Sequence, residues 1–415
     1  MKVYLKTFGC RANQYDSETV RAMIERAGGE IVTQPDGADV AVFNSCAVTA
    51  EAEVELRKHV RRAARRRPEL KTLIMGCAAA RDQGTLAALP SVEHVVPGAD
   101  FTALAGALDL PASASGAAAR QSGTRALLRI QDGCDEHCTF CATTLARGAN
   151  RSRPVAVLLE EAAALAERHP EIVLTGIHIG TYGADTGSSL GILVEALVTA
   201  VPGVRFRLSS IETTEIDDQL AALLAGTGRV APHVHAPLQS GSDRILKRMG
   251  RHWYTAASYA RAMEKLVKRS PVFGLGADII AGFPGETDDD HRATLDLVRA
   301  LPFTYLHVFP FSVRPGTAAE RLPGRLPGEV VEERARELRR LGEQHRARYA
   351  QARSGGTGDV IVVRGDAREG LTEDYLTVAI EDVTPGRGQR LTMRLEFVGD
   401  RMVARPLTAA TRTPA

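Results

Sequence analysis

Six cysteines constrain this chain more than any other feature, because three each follow their own apolar, strand-like run and three cluster together after another. They are Cys10, Cys46, Cys77, Cys134, Cys138 and Cys141. The opening segment MKVYLKTFGC carries Lys6 and no stretch apolar enough for a secretory signal. No apolar run approaches the ~20 residues of a membrane-spanning helix. A cytoplasmic protein with no membrane partner is therefore expected. In a reducing compartment, clustered cysteines are metal ligands or catalysts more often than disulfides.

The last three cysteines form a compact C-x3-C-x2-C set in RIQDGCDEHCTFC, just after the strand-like run Leu127–Ile130. A turn there brings three thiolates towards one centre. Iron–sulfur clusters are held by cysteine thiolates, usually four. Three ligands leave one iron open, and an open position is how a metal centre takes up a substrate. Zinc is the rival. It needs a fourth ligand, and the nearest candidate, His137, is strained by its adjacency to Cys138.

The first three cysteines close the runs VYLKTFGC, VAVFNSC and TLIMGC. In open parallel sheets, ligands bind outside the carboxyl ends of the strands. Three cysteines at three such ends converge on one crevice, although about thirty or more residues separate them. One such cysteine alone reads as a small apolar residue packed at a strand end. All three together, with Gly9 and Gly76 beside two of them, read as a second three-thiolate site.

The 415 residues suggest about three domains. Over residues 1–110, strands at Val3–Thr7, Val40–Asn44 and Thr72–Met75 alternate with helices at about 16–28 and 50–66, as in an open parallel α/β sheet. Residues 111–124 read as a Pro/Gly/Ser-rich linker. Over 125–353, strands are expected at Leu127–Ile130, Ile172–Thr175, Arg205–Ser209, His233–His235, Gly276–Ile280 and Tyr305–Phe309, followed by a long closing helix at 330–353. That pattern fits a partial (βα)6 barrel of parallel strands. Residues 354–415 carry short β-rich segments and read as a small all-β barrel. Together they make an α/β protein with a C-terminal β-module.

Lys and Arg number 52 against 50 acidic residues, so any nucleic-acid surface must be local. The helix at 50–66 puts Arg61, Arg62 and Arg65 at helical spacing, which suits phosphate contacts. A solvated helix face is the other reading. The C-terminal module is not net basic, so an RNA role there depends on residues such as Arg387 and Arg390.

With Phe140 as the aromatic before the last cysteine, the compact set resembles the cluster motif of radical S-adenosylmethionine enzymes. Both triads in this order, followed by a β-module, resemble the methylthiotransferase family of those enzymes. IQDGC at 130–134, RG at 147–148, HAPLQSGSDRILKRM at 235–249, DIIAGFPGET at 278–287 and FSVRPGT at 311–317 extend the resemblance. GCRANQYDSE at 9–18, NSCAVTAEAE at 44–53 and LTGIHIGTYGAD at 174–185 look like the branch acting on threonylcarbamoyladenosine in tRNA, rather than the isopentenyladenosine or ribosomal-protein branches. The sequence departs from the family pattern at His137, Thr144, Thr213 and GCAAA 76–80, and no departure removes a thiolate.

The resemblance implies two [4Fe-4S] clusters, one on Cys134, Cys138 and Cys141 and an auxiliary one on Cys10, Cys46 and Cys77. It implies a radical SAM barrel, a TRAM-like C-terminal domain that contacts RNA, and the anticodon loop of tRNA as partner. The implied reaction attaches a methylthio group to C2 of the modified adenosine at position 37. S-Adenosylmethionine serves as methyl donor and radical source, with an external electron donor and a sulfur donor. Radical chemistry of this kind belongs to the cofactor; side chains position reactants and exclude water. Phe140, Gly176, Gly180, Glu212, Gln239 and Gly282 are expected to shape the cofactor pocket. Glu212 could equally cap a helix or pair with an arginine. A non-catalytic, metal-stabilised RNA-binding protein is the more distant alternative.

Overall fold

Strands buried on both faces read as continuous apolar runs rather than alternating ones. VAVFNS and KTLIMG are such runs, and they form the middle of a five-stranded parallel sheet. In the computed structural model, which describes residues 1–407 except 48, 49, 115, 117, 227 and 367, this sheet comprises β1 (Lys2–Thr7), β2 (Glu30–Val32), β3 (Val40–Ser45), β4 (Lys71–Gly76) and β5 (Val92–Pro97). The order is β2-β1-β3-β4-β5, with every neighbouring pair parallel. Helices α1 (Arg11–Arg26), α2 (Ala50–Arg66) and α3 (Cys77–Ala80) follow β1, β3 and β4. The chain runs outward in opposite directions from β1 and β3. Connections on either side therefore part there and leave a crevice at the carboxyl ends.

A second set of parallel strands follows. β6 (Ala126–Arg129) leads into a hairpin of β7 (Gln131–Asp132) and β8 (Arg151–Ser152), which encloses the compact cysteine loop. β9 (Glu171–Thr175) and β10 (Arg205–Leu208) complete one three-stranded sheet. β11 (His233–His235), β12 (Gly274–Ala281) and β13 (Tyr305–Pro310) form another. Parallel bridges Phe206–Val230 and Ser210–His235 join them, so the six strands curve into one open barrel. Leu128, Leu174, Phe206, Val234, Leu275 and Ile279 are fully buried along it. The helix Gly328–Arg353 packs beside β12 and β13. β14 (Thr357–Arg364), β15 (Glu369–Leu371), β16 (Thr377–Ile380), β17 (Arg390–Val398) and β18 (Arg401–Pro406) close a small barrel in the order β14-β15-β16-β18-β17.

The expected strands appear within a residue or two at each end. The exception is the helix expected over 16–28, which begins at Arg11, with Cys10 as its N-cap residue and no side-chain cap. Without a Ser, Thr, Asp or Asn at that position the start carries no sequence signal. Strands β2, β5, β7, β8 and β15 were not expected: β2 and β15 span only three residues, β7 and β8 only two, and β5 carries Glu93 and His94 exposed. Within the expected linker 111–124, residues 115 and 117 lie outside the described residues, as do 367 and 408–415 of the C-terminal module.

A buried ion cluster ties the small barrel to the large one. Glu171 on β9, wholly buried, accepts from Arg205 Nε at 2.6 Å and from Arg207 Nε at 2.9 Å. Arg205 also donates to Asp359 Oδ2 on β14 at 2.9 Å, and Arg390 Nη2 meets the same oxygen at 2.6 Å. The two guanidiniums hold the Glu171 carboxyl well below its ordinary range despite burial. Removing one member of such a cluster strands the others without compensation. Glu171→Gln is expected to lower stability by about 3–5 kcal/mol at neutral pH, read from the urea unfolding midpoint. A loss below about 1 kcal/mol would match an exposed pair instead.

Candidate active site

Each cysteine of the dispersed set sits where its strand ends. Cys10 follows β1 through Gly9, Cys46 follows β3 directly, and Cys77 opens α3 after Gly76 at the end of β4. The sulfurs gather. Cys10 Sγ lies 3.9 Å and Cys77 Sγ 3.6 Å from the same oxygen, Asn13 Oδ1. Cys46 Sγ lies against Gly9, whose φ of +95° and missing side chain make the approach possible; a Cβ there would fall 2.3 Å from that sulfur. All three line a cavity of about 600 Å³ together with Gly176, His233, His235, Tyr305 and Tyr375. The N-terminal sheet, the open barrel and the small barrel therefore each contribute to one wall.

The compact set is surrounded by hydrogen-bond donors. Arg251 Nη1 donates to Cys138 Sγ at 3.5 Å, and the Thr143 amide donates to Cys141 Sγ at 3.3 Å. His178 Nδ1 lies 3.4 Å from Cys134 Sγ, and its Nε2 meets Glu215 Oε1 at 2.7 Å. Burial works against charge on His178, but Cys134 and Glu215 hold its proton and carry its pKa up to about 10. Phe140 lines a second cavity of about 870 Å³, with Gln239, Gly282 and Ile280. Asp278 and Phe309 belong to the walls of both cavities.

Arg147, at the end of the helix Thr143–Arg147, links the two triads. Its Nε donates to Cys77 Sγ at 3.2 Å, and its Nη2 donates to Asn13 Oδ1 at 2.8 Å and Asp16 Oδ2 at 2.6 Å. Burial pushes the Cys77 thiol up to about 11 and the Cys138 thiol up to about 12. These thiols are neutral at pH 7 until a metal displaces their protons. The donor set fits a three-thiolate cluster at either triad: soft sulfur ligands, cationic N–H groups aimed at them, and at Gly9 a bare backbone that lets Cys46 come close.

The other expected residues fall in different places. Gly176 lines the first cavity. Gly180 packs against Glu215, whose carboxylate occupies the space a Cβ would need. Glu212 lines neither cavity: it accepts from Arg251 Nη2 at 2.5 and 2.6 Å and caps the turn Thr213–Glu215. Its contact with the compact triad runs through Arg251. Arg61, Arg62 and Arg65 are exposed on α2. Arg387 donates to Thr124 Oγ1 and the Ser122 carbonyl, and Arg390 is paired with Asp359. Sequence reasoning missed Asn13, Asp16, His178 and Arg251. Asn13 and Asp16 share a face of α1, a signal hidden by placing its start too late.

His233 is buried and stacks on Tyr375 at 4.6 Å, with its Nε2 2.9 Å from Tyr305 Oη. Burial, with Arg207, His235 and Arg11 nearby, holds its pKa well below the ordinary value, against the opposing charge of Glu171. An unfolded histidine binds its proton near pH 6.5. Below that pH the unfolded chain takes up a proton that the folded one does not, so stability falls by up to about 1.4 kcal/mol per pH unit. Between pH 7.5 and 5.5 the wild-type unfolding midpoint should therefore drop further than that of His233→Gln. Equal drops would contradict a neutral His233.

Comparison with known proteins agrees with this arrangement. Residues 2–98 match the family described as Uncharacterized protein family UPF0004, and residues 128–298 match the Radical SAM superfamily. A Thermotoga maritima protein named threonylcarbamoyladenosine tRNA methylthiotransferase MtaB is 36% identical over 96% of this chain and 92% of its own length. A tRNA-2-methylthio-N(6)-dimethylallyladenosine synthase of Erythrobacter litoralis is 34% identical over 87% of this chain and 86% of its own. The radical S-adenosylmethionine methyltransferase TsrM of Kitasatospora setae shares the fold, with a TM-score of 0.59 at 15% identity over 77% of this chain and 75% of that one. Two triads at the carboxyl ends of two parallel strand sets, and similarity along nearly the whole length, lead to one assignment: the chain belongs to the radical S-adenosylmethionine methylthiotransferase family, whose radical chemistry uses S-adenosylmethionine and a [4Fe-4S] cluster.

Proposed function

We propose that the protein methylthiolates C2 of N6-threonylcarbamoyladenosine at position 37 of tRNA, in the cytoplasm. The observation that carries the reading is the gathering of Cys10, Cys46 and Cys77 on a cavity that shares Asp278 and Phe309 with a second one, lined by Phe140 of the compact cysteine loop. MtaB-named relatives from Thermotoga maritima and Aquifex aeolicus, at 36% and 33% identity, support the branch.

Cys134, Cys138 and Cys141 hold the radical cluster, and Cys10, Cys46 and Cys77 hold a second, auxiliary one. When bound, these groups supply S-adenosylmethionine cleavage and a sulfur site. The chain's residues do the positioning. Arg251, His178 and the Thr143 amide direct N–H groups at the compact set's sulfurs, and Arg147 does so at Cys77. Glu212 fixes the Arg251 guanidinium and is a positioning residue. Phe140, Gln239 and Gly282 wall the cofactor's cavity. Arg61, Arg62 and Arg65 offer phosphate contacts, while Arg387 and Arg390 serve the RNA-facing β-barrel through the contacts they already make. An external electron donor and a sulfur donor complete the system. No helix among the described residues is long and apolar enough to cross a membrane.

Turnover with threonylcarbamoyl-tRNA, reductant and S-adenosylmethionine is expected to release both S-adenosylhomocysteine and 5′-deoxyadenosine. Mass analysis of tRNA nucleosides from a deletion strain should show loss of the methylthio mark on threonylcarbamoyladenosine alone. Loss on dimethylallyladenosine instead, an unchanged nucleoside pool with a changed ribosomal protein, or only one coproduct would reject the reading.

A further inference from the structure

Several buried or half-buried arginines of the barrel are held by carboxylates. Arg129 and Arg147 meet Asp16, Arg153 meets Glu161, Arg205 and Arg207 meet Glu171, and Arg251 meets Glu212. Arg11 breaks the pattern. It stands next to Cys10, lines the same cavity as the dispersed triad, and no described carboxylate lies within 4.0 Å of it. Its hydrogen bond is a neutral one, from Nη2 to Tyr375 Oη at 3.0 Å. Tyr375 reaches in from the small barrel at a φ of +73°, a backbone conformation that costs a bulky residue energy and is kept only where surroundings enforce it. Burial acts to raise the Tyr375 hydroxyl's pKa, yet Arg11, Arg125 and Arg207 together bring it below its ordinary value. A second polar group on the same wall has a free position. His233, almost fully buried on the same wall, has an Nδ1 with no hydrogen-bond partner among the described residues.

We propose that the Arg11 guanidinium binds the carboxylate of the threonylcarbamoyl group and selects an acidic N6 substituent over a neutral one. The inference rests on the substrate reading above and deepens it. A threonylcarbamoyl group ends in a carboxylate; a dimethylallyl group has none. The distal urea N–H of an N6-carbamoyl adenine closes onto ring N1, which turns the threonyl chain towards the N1–C2 side. A cation one residue from Cys10 is thus on the side where sulfur must reach C2. An unneutralised guanidinium and a carboxylate make a bidentate, charge-assisted pair, whereas an apolar substituent would leave Arg11 desolvated and unpaired.

The test uses the reconstituted holoenzyme and three anticodon stem-loops, carrying threonylcarbamoyladenosine, its carboxyl methyl ester, or dimethylallyladenosine. Wild type should favour the acid over the ester by roughly 10- to 100-fold, mainly in KM and in Kd by fluorescence anisotropy. Arg11→Gln should bring that ratio close to one, and Arg11→Lys should keep most of it. Should Arg11→Gln be inactive, the anisotropy ratio reads the same selectivity without turnover. A wild-type acid-to-ester ratio retained in Arg11→Gln overturns the proposal while leaving the substrate reading standing. Wild-type product on the dimethylallyl stem-loop, and none on either threonylcarbamoyl one, overturns both.

Discussion

The buried pair of Arg147 with Asp16 fixes the relation between the two halves of the site. The helix that ends in Arg147 begins at Thr143, whose amide meets Cys141. Four residues later the Arg147 guanidinium touches Cys77 and is clamped by Asp16 at 2.6 Å, with Arg129 on the other oxygen of that carboxylate, also at 2.6 Å. Charges this buried are tolerated only when every partner is present. The N-terminal sheet and the open barrel can therefore dock only where this cluster closes. That docking sets how far the compact triad lies from the dispersed one.

The same logic extends to the small barrel. Glu171, Arg205 and Asp359 lock it against β9 and β10, and Arg353 reaches Asp374 at 2.7 Å from the long helix. The lock delivers Tyr375 into the cavity beside His233 and Arg11. A module expected only to contact RNA thus also forms part of the wall of the cavity that Cys10, Cys46 and Cys77 line. The lining of this cavity is then a property of three bodies.

Much of this was readable from the residues. Apolar runs ending in cysteine located the strand ends, and parallel-sheet topology then forced convergence without any knowledge of side-chain placement. The unread part was of a different kind. Arg251 and Glu212 lie far apart in sequence, and nothing local marks either as a partner of the other. His178 gains its role only because the loop after β9 folds back to Cys134. The start of α1 was missed because cysteine is a poor capping residue, and with it went Asn13 and the face it shares with Asp16. Glu212 had two readings, a pocket-shaping group at a barrel strand end or a helix cap and arginine partner, and the pairing with Arg251 matches the second. Periodicity reports which face is buried. It does not report which buried charges meet.

Everything proposed for this protein requires each triad to hold its own cluster. Anaerobic reconstitution followed by iron and sulfide counting tests it most directly. Wild type should carry about eight irons and eight sulfides per chain, and the protein with Cys10, Cys46 and Cys77 all changed to Ala about four, with cleavage of S-adenosylmethionine retained. About one metal per triad with no sulfide, or an iron count indifferent to the loss of those three cysteines, would contradict it.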